Sequence, residues 1–566
     1  MEFMPLSFSQ EPFWFLNEVE GMSAAYTRTE AIRLSGVLDV NAMEAALGDV
    51  VVRHEVLRTV FPVVAGRPCQ RVLPPAQDRP VLTVAEPGVQ NVRAAIAEVA
   101  GRGFDLTLDP PFRAWLLAAG SEEHIIVATL HHIAFDARSM ELFWRDLALA
   151  YAARLEGSTP GWSPLPAQYA DYAMWQRTVL GDEDDPDSLM SRHLAYWRDQ
   201  LAGLPELLTM PADRQQLAAG SLRVGTATFQ IDAGLYSALR ALARECGVTI
   251  FMVMQAVVAA LLTRLGAGTD IPLGSPVTGR ADDALAELIG CFVNTLVLRC
   301  GTSGNPTFRE LISRIRETDL AAYDHQELPF ERLVHALNPV RSLNRNPLFQ
   351  IMIAFYEDRG RDLPLAGISA SRESVVLDTA ATLDLVFNFI EGRSGEVVDC
   401  AVEYASDMFD QKTAESMTRS LDLLLEAVVS DPDAPIGKAD IRFPANVSLP
   451  FSSRNRAGDP VPAASRDEVP PVHERNVRTA IEETLCQLFS EILQRASVEI
   501  HDDFFALGGD SISVIRLISR IRSVLGVKLG MRDFFDNPTV AGAARLVNVS
   551  GRQDKLPPIA RRAAPS

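Results

Sequence analysis

Ala128-Thr-Leu-His-His-Ile-Ala-Phe-Asp-Ala-Arg138 is the stretch around which this chain is organised. It completes an apolar run, Ile125-Ile-Val-Ala-Thr-Leu130, whose length and β-branching read as a buried strand. His131 and His132 close that run, Asp136 follows four residues after the second histidine, and Met140 to Tyr151 has a helical pattern. An imidazole at the end of a buried strand, with a carboxylate just downstream, is well placed to be held for proton transfer. A His-His pair taken alone is more often structural than catalytic, so the rest of the chain has to decide.

Working outward, strand and helix patterns interleave. Ala31–Ser35 and Val81–Val84 read as strands, and Val40–Arg53 reads as a helix. Ser7-Phe-Ser-Gln-Glu-Pro-Phe-Trp-Phe-Leu16 reads as a helix start with aromatic anchors. An α/β class with mixed sheets is indicated. The acidic loop Gly181-Asp-Glu-Asp-Asp-Pro-Asp187 falls where a first lobe of roughly 175 residues would end. Beyond it come the alternating strand Thr226–Asp232, the helix Leu235–Cys246, and Ile250–Leu262, the most apolar helix. That last helix is too short to span a bilayer and is expected in a core.

Pro444 to Pro471 has no apolar period and is rich in proline and serine, as a linker is. At full extension such a segment reaches on the order of 90 Å. Val477–Leu493 then reads as an amphipathic helix, and Ile500 to Arg516 as a loop running into another. Gly508-Gly509 permits a turn there, and Ser511 falls at the first turn of the helix.

The 566 residues exceed what one core supports, so two to four domains are expected. A net charge of −20 argues against non-specific nucleic-acid binding and against anionic membrane surfaces. Six scattered cysteines with no Cys-x-x-Cys pair suit reduced thiols in a cytoplasm and imply neither zinc nor a disulfide framework. No basic-then-apolar leader opens the sequence.

Together, Ser7–Leu16, Arg53–Phe61, His131–Asp136, Ile289–Arg299, His325–Gln350 and Tyr404–Asp410 resemble, in order, the motifs of the condensation domain of non-ribosomal peptide synthetases. Asp503-Phe-Phe-Ala-Leu-Gly-Gly-Asp-Ser-Ile512 resembles a peptidyl carrier protein. The resemblance implies a two-lobed, chloramphenicol-acetyltransferase-like α/β fold with a tunnel between the lobes, and a C-terminal four-helix carrier. The boundaries it suggests are 1–177 and 178–443 for the lobes, 444–472 for the linker, 473–550 for the carrier and 551–566 for a tail. The implied activity is amide-bond formation between a donor thioester and an amine carried on 4′-phosphopantetheine at Ser511. His132 would be the base or the positioning group for that amine. His131 and Asp136 complete the site and are read as architecture, Asp136 pairing with Arg280 of the second lobe. Arg58 is a further candidate for bracing the site.

The motif glycine after the aspartate is Ala137 here, which is expected to narrow the tunnel or alter acceptor choice. No adenylation domain separates the two units, and no Gly-x-x-x-x-Gly-Lys-Ser/Thr loop occurs. The implied partners are an upstream donor carrier, a phosphopantetheinyl transferase and an adenylation enzyme acting in trans. The tail Leu556-Pro-Pro-Ile-Ala-Arg561 resembles the lead into a further condensation domain. Transfer to a hydroxyl or a free amine, and a non-catalytic platform recruiting tailoring enzymes, are the alternative functions.

Overall fold

The computed structural model describes residues 3–20, 26–75, 82–85, 92–120, 122–214, 223–280, 282–339, 346–357, 363–373, 383–393, 395–439, 441, 479–509, 511–527, 529–549, 559 and 561–562. The linker read over 444–472 lies outside the described residues.

The first lobe is built on strands β1 (Thr27–Ser35), β2 (Leu82–Ala85), β3 (Phe112–Ala118) and β4 (Glu123–His131). The run that opened the reading, Ile125–Leu130, is fully buried because β4 lies between β1 and β3, antiparallel to both. Helices α1 (Gln10–Glu20), α2 (Val40–Arg53), α3 (Ala137–Leu155) and α4 (Tyr169–Leu180) accompany this sheet. The helix expected at Val40–Arg53 has those bounds, with the Asp39 carboxylate accepting from the Ala42 N–H at 2.9 Å. A fifth strand comes from far along the chain. Ser369–Glu373 pairs antiparallel with β1, so the sheet of the first lobe is closed by a segment numbered inside the second. Residues beyond 178 thus contribute to the sheet of the first lobe and, through Leu285, Phe292 and Leu363, to its core.

The second lobe carries β5 (Val224–Ile231), β6 (Asp270–Val277), β7 (Asn294–Gly301), β8 (Ile351–Glu357), β9 (Leu385–Glu391) and β10 (Val398–Ala405), in the order β7-β6-β8-β9-β10-β5. Helices α5 (Ala233–Glu245), α6 (Ile250–Arg264) and α7 (Phe308–Tyr323) belong to this lobe. Every residue of α6 from Met252 to Thr263 is buried, as its all-round hydrophobicity requires. No single helix among the described residues is long and apolar enough to cross a membrane.

One irregularity matters for the site. β6 and β8 run parallel but pair only at Leu273–Ile351 and Gly274–Met352. Beyond that point β6 continues with β7 while β8 continues with β9, so the strand ends Ser275–Val277 and Phe355–Glu357 stand apart. A cleft opens between them.

The C-terminal unit is four helices among the described residues: α8 (Ala480–Leu493), α9 (Ser511–Leu525), α10 (Met531–Asp536) and α11 (Val540–Val549). Phe489, Phe504 and Phe534 meet edge-on or tilted in its core. It is seated on the second lobe. Arg520 pairs with Asp283 at 2.6 Å, Asp536 accepts from Arg316 at 2.7 Å, and the Met531 N–H donates to Asp324 at 3.0 Å.

Candidate active site

The end of β4 hands the chain to a short 3-10 turn, His132–Ala134, and then to α3. His131 is fully buried; its Nδ1 accepts from the Ile133 N–H at 3.2 Å, and Phe104 packs edge-on at 6.1 Å. It braces the turn and is out of reach of any substrate.

His132 stands differently. Its ring is stacked between Phe13 at 5.5 Å and Phe135 at 4.8 Å, nearly parallel to both. It keeps part of its surface accessible, yet burial is the largest influence on its ionisation. Burial, then the nearby Arg28 charge, pull its pKa down to about 4, against the opposing pull of Asp136. Imidazole is therefore neutral near pH 7 and able to accept a proton.

Asp136 is the N-cap of α3 and the centre of a cross-lobe knot. Its Oδ1 accepts from the Ser139 N–H at 2.8 Å and the Ser139 hydroxyl at 2.7 Å. Arg280, from the second lobe, reaches both carboxylate oxygens at 3.0 and 3.1 Å, and the Phe292 N–H donates to Oδ2 at 3.2 Å. The arginine also donates to the carbonyls of Leu285 and Leu288, both at 2.7 Å, and lies over the Phe292 ring at 4.1 Å. Two glycines make this packing feasible. Gly279 has φ +61° and a Cβ there would sit 1.9 Å from the Phe292 carbonyl; one on Gly290 would sit 1.9 Å from the Tyr169 ring.

The structure thus brings together His131, His132, Asp136 and Arg280. Arg58 stands apart: its guanidinium donates to the Leu73 carbonyl and pairs with Glu55 at 3.5 Å. Among the described contacts none links it to the histidines, so bracing of the site falls to Ser139, Arg280 and the Phe292 backbone instead. Ala137 opens α3 with ordinary helical geometry and an exposed methyl, so it meets no buried neighbour there. The sequence reading missed Ser139, whose place three residues after Asp136 is the usual spacing of a cap, and the stacking of Phe13. It also missed a buried pair at the foot of the same lobe, His54 Nε2 and Asp146 Oδ2 at 2.9 Å.

Burial lowers the pKa of His131 to about 3, of His132 to about 4, and that of His54 in the same direction. Unfolded imidazole titrates near ~6.5, so between that value and about 4 the unfolded chain binds protons the folded one refuses. Stability is complete above the unfolded value and falls as the pH drops through this window. Thermal scans are expected to show the melting temperature dropping steadily below pH 6.5, and less steeply for His132→Gln. A flat profile would contradict neutral burial.

In the C-terminal unit, Ser511 is the first residue of the fifteen-residue α9, three residues after Gly508, which has φ +103°. Asp510 lies outside the described residues. The Gly508–Gly509 turn faces the open cleft at β6 and β8, where a cavity of about 710 Å³ is lined by Tyr236, Arg240, Arg244 and Thr249 among others. A helix N-terminus suits a phosphodiester, and arginines lining a pocket this size suit a phosphate-bearing arm. The residues present fit 4′-phosphopantetheine. His132 is not among the residues lining this cavity, which ends at Ser275–Thr278 on the β6 side.

Comparison with known proteins agrees with this geometry. A condensation-domain family model matches residues 1–445, and a phosphopantetheine attachment site model matches 483–547. A probable non-canonical nonribosomal peptide synthetase of Salinispora arenicola is 49% identical over 444 residues, covering 78% of this chain and 6% of that protein. A dimodular nonribosomal peptide synthase of Bacillus subtilis is 45% identical over 471 residues, covering 82% and 20%. The chain thus spans a small part of these relatives' length. Among solved structures, the X-domain from teicoplanin biosynthesis in complex with OxyB is 36% identical, with a TM-score of 0.73, covering 78% of this chain and 97% of that one. The chain belongs to the condensation-domain family of nonribosomal peptide synthetases, with a chloramphenicol-acetyltransferase-like fold, and carries a phosphopantetheine attachment domain at its C-terminal end.

Proposed function

We propose that this chain joins a donor acyl or peptidyl thioester, delivered by a separate upstream carrier, to an amine held as a thioester on the arm at Ser511. Phosphopantetheine supplies a flexible thiol that brings the acceptor into the molecule. The acceptor nitrogen attacks the donor carbonyl, a C–N bond forms and the donor C–S bond breaks. The proton lost by nitrogen ends on the departing donor thiol. His132 takes that proton or holds the amine in line; its neutral ring, fixed between Phe13 and Phe135, is suited to either task. Asp136 and Arg280 keep the two lobes, and hence the turn bearing His132, in one arrangement. The observation that carries the reading is a neutral, partly accessible imidazole beside a cross-lobe ion pair, in a chain that also bears an attachment domain. A phosphopantetheinyl transferase and an adenylation enzyme acting in trans complete the proposed set of partners.

General-base action is worth roughly 10²–10⁴-fold, whereas juxtaposing two tethered substrates supplies effective molarities of about 10⁵–10⁸ M. His132→Ala is therefore expected to slow product formation on the loaded carrier by about 10²-fold or more without abolishing it. Intact-protein mass spectrometry with synthetic donor and acceptor thioesters reads this directly. Unchanged turnover would remove His132 from the mechanism, and product released into solution would instead indicate a free amine or hydroxyl acceptor. The likeness to an X-domain that forms a complex with OxyB, together with Ala137, supports a second reading, a platform for tailoring enzymes. Absence of product from wild-type protein under every pairing would favour it.

A further inference from the structure

The core of the second lobe holds a carboxyl group without a cation. Asp319, on the inner face of α7, is fully buried, and no ion pair reaches it among the described residues. Its Oδ1 accepts from Gln255 Nε2 of α6 at 3.0 Å, and the same amide nitrogen donates to Cys300 Sγ of β7 at 3.4 Å. Two oxygens are left over. Asp319 Oδ2 and Gln255 Oε1 are both buried, and neither has a hydrogen-bond partner among the described residues. An ionised carboxylate and an amide carbonyl only accept, so the two oxygens cannot satisfy each other in that state. A protonated carboxyl brings an O–H to donate. Burying an unpaired carboxylate costs far more than burying the neutral acid.

We propose that Asp319 is held as the neutral acid and closes a ring with the Gln255 amide, Nε2–H to Oδ1 one way and Oδ2–H to Oε1 the other, so that a single proton joins α6 to α7. Burial pushes the Asp319 pKa up to about 8, against the opposing pull of the Gln255 hydrogen bond. The groups around it bring no competing cation. Cys300 is a thiol whose pKa burial raises, and Tyr196, on the helix Leu189–Gln200, is a phenol raised by burial and then by Asp319 itself. Asp270 of β6 is paired with Arg299 at 2.7 Å, and Arg316 of α7 with Asp536 at 2.7 Å. The place of the ring gives the proton a consequence. One turn beyond Asp319, Tyr323 lines the cavity at the β6–β8 cleft, and Asp324 accepts from the Met531 N–H of the attachment domain. The seat of that domain is thus a helix whose inner contact depends on protonation. The ring itself does not depend on the reaction proposed above.

An unfolded aspartate titrates near ~3.9, so between that value and about 8 the opened chain binds fewer protons than the closed one. The closed state therefore loses stability as the pH rises through this window and loses no more above it. Hydrogen exchange on the full chain reads this between pH 6.5 and 8, above the window of the buried histidines. In the wild-type protein the opening constant of α6 and α7, corrected for the intrinsic exchange rate, should rise about tenfold per pH unit and then level off. Protection over Met531–Asp536 should fall in step. Asp319→Asn keeps the ring, because its amide donates to Gln255 Oε1 with no proton to lose, and its opening constant should stay level. Infrared difference spectra of wild type against Asp319→Asn should show the carbonyl stretch of a protonated carboxyl at pH 6.5, fading as the pH passes about 8. Absence of that band at pH 6.5, or the same pH slope in both proteins, would overturn the proposal. So would an Asp319→Asn protein markedly less protected than wild type at pH 6.5, since an amide should complete the ring as well as the acid does.

Discussion

Ser511→Ala is expected to abolish labelling by a phosphopantetheinyl transferase with coenzyme A, and with it every product attached to the chain. The loss should be complete, because Ser511 opens α9 two residues after Gly509, whose turn lines the β6–β8 cleft. The electrostatic part of the argument is general: the first turn of a helix has N–H groups without intrahelical partners, and that positive end favours an anionic phosphodiester. Alanine is tolerated at that turn, so α9 should keep its exchange protection while the mass shift disappears. Labelling that persisted in the variant would move the attachment point elsewhere, with Ser513 the next candidate on the same helix. Labelling absent from the wild-type protein would end the proposed function.

Asp136→Ala is expected to destabilise the joint between the lobes by about 3–5 kcal/mol, the usual cost of leaving one member of a buried ion pair without the other. The side chains of Asp136 and Arg280 are each 6% exposed, so solvent does little to screen them. Among the described residues, the variant would leave the arginine the Leu285 and Leu288 carbonyls, the Ser139 hydroxyl and the Phe292 ring. It would also remove the N-cap of α3, worth about a further 1 kcal/mol. Asp136→Asn keeps the cap and loses the charge, so it separates the two contributions. In a double-mutant cycle Asp136→Ala with Arg280→Ala should cost less than the sum of the single changes. Loss of exchange protection should centre on Leu285–Phe292 and the start of α3. If both single variants melt like wild type, the pair does not join the lobes. Slowed turnover in either variant, with carrier loading unchanged, would show that the joint also sets the position of His132.

Much of this protein was legible because its local patterns are strong. Ile125–Leu130 is a continuous β-branched run and became the central strand of the first sheet. Ile250–Leu262 is apolar all round and became a buried helix. The pairing of Asp136 with Arg280, expected from resemblance, is a geometric fact across 144 residues, although its role in the reaction remains a proposal. Arg58 was misplaced because a basic residue near a motif says nothing about where its guanidinium turns. Here it is drawn to Leu73 and Glu55, on the side where Arg562 lies.

Amino-acid order by itself determined the alternation of strands and helices, the His-His turn, the glycine turn before Ser511 and the α/β class, because each rests on neighbours a few residues apart. Tertiary structure alone decided that Ser369–Glu373 joins the first sheet, that Phe13 stacks on His132, that β6 and β8 part to open a cleft, and that Arg562 lies against Glu55 and Asp171. These depend on contacts between segments far apart in the chain, and such contacts are chosen by packing and charge pairing that no local periodicity encodes.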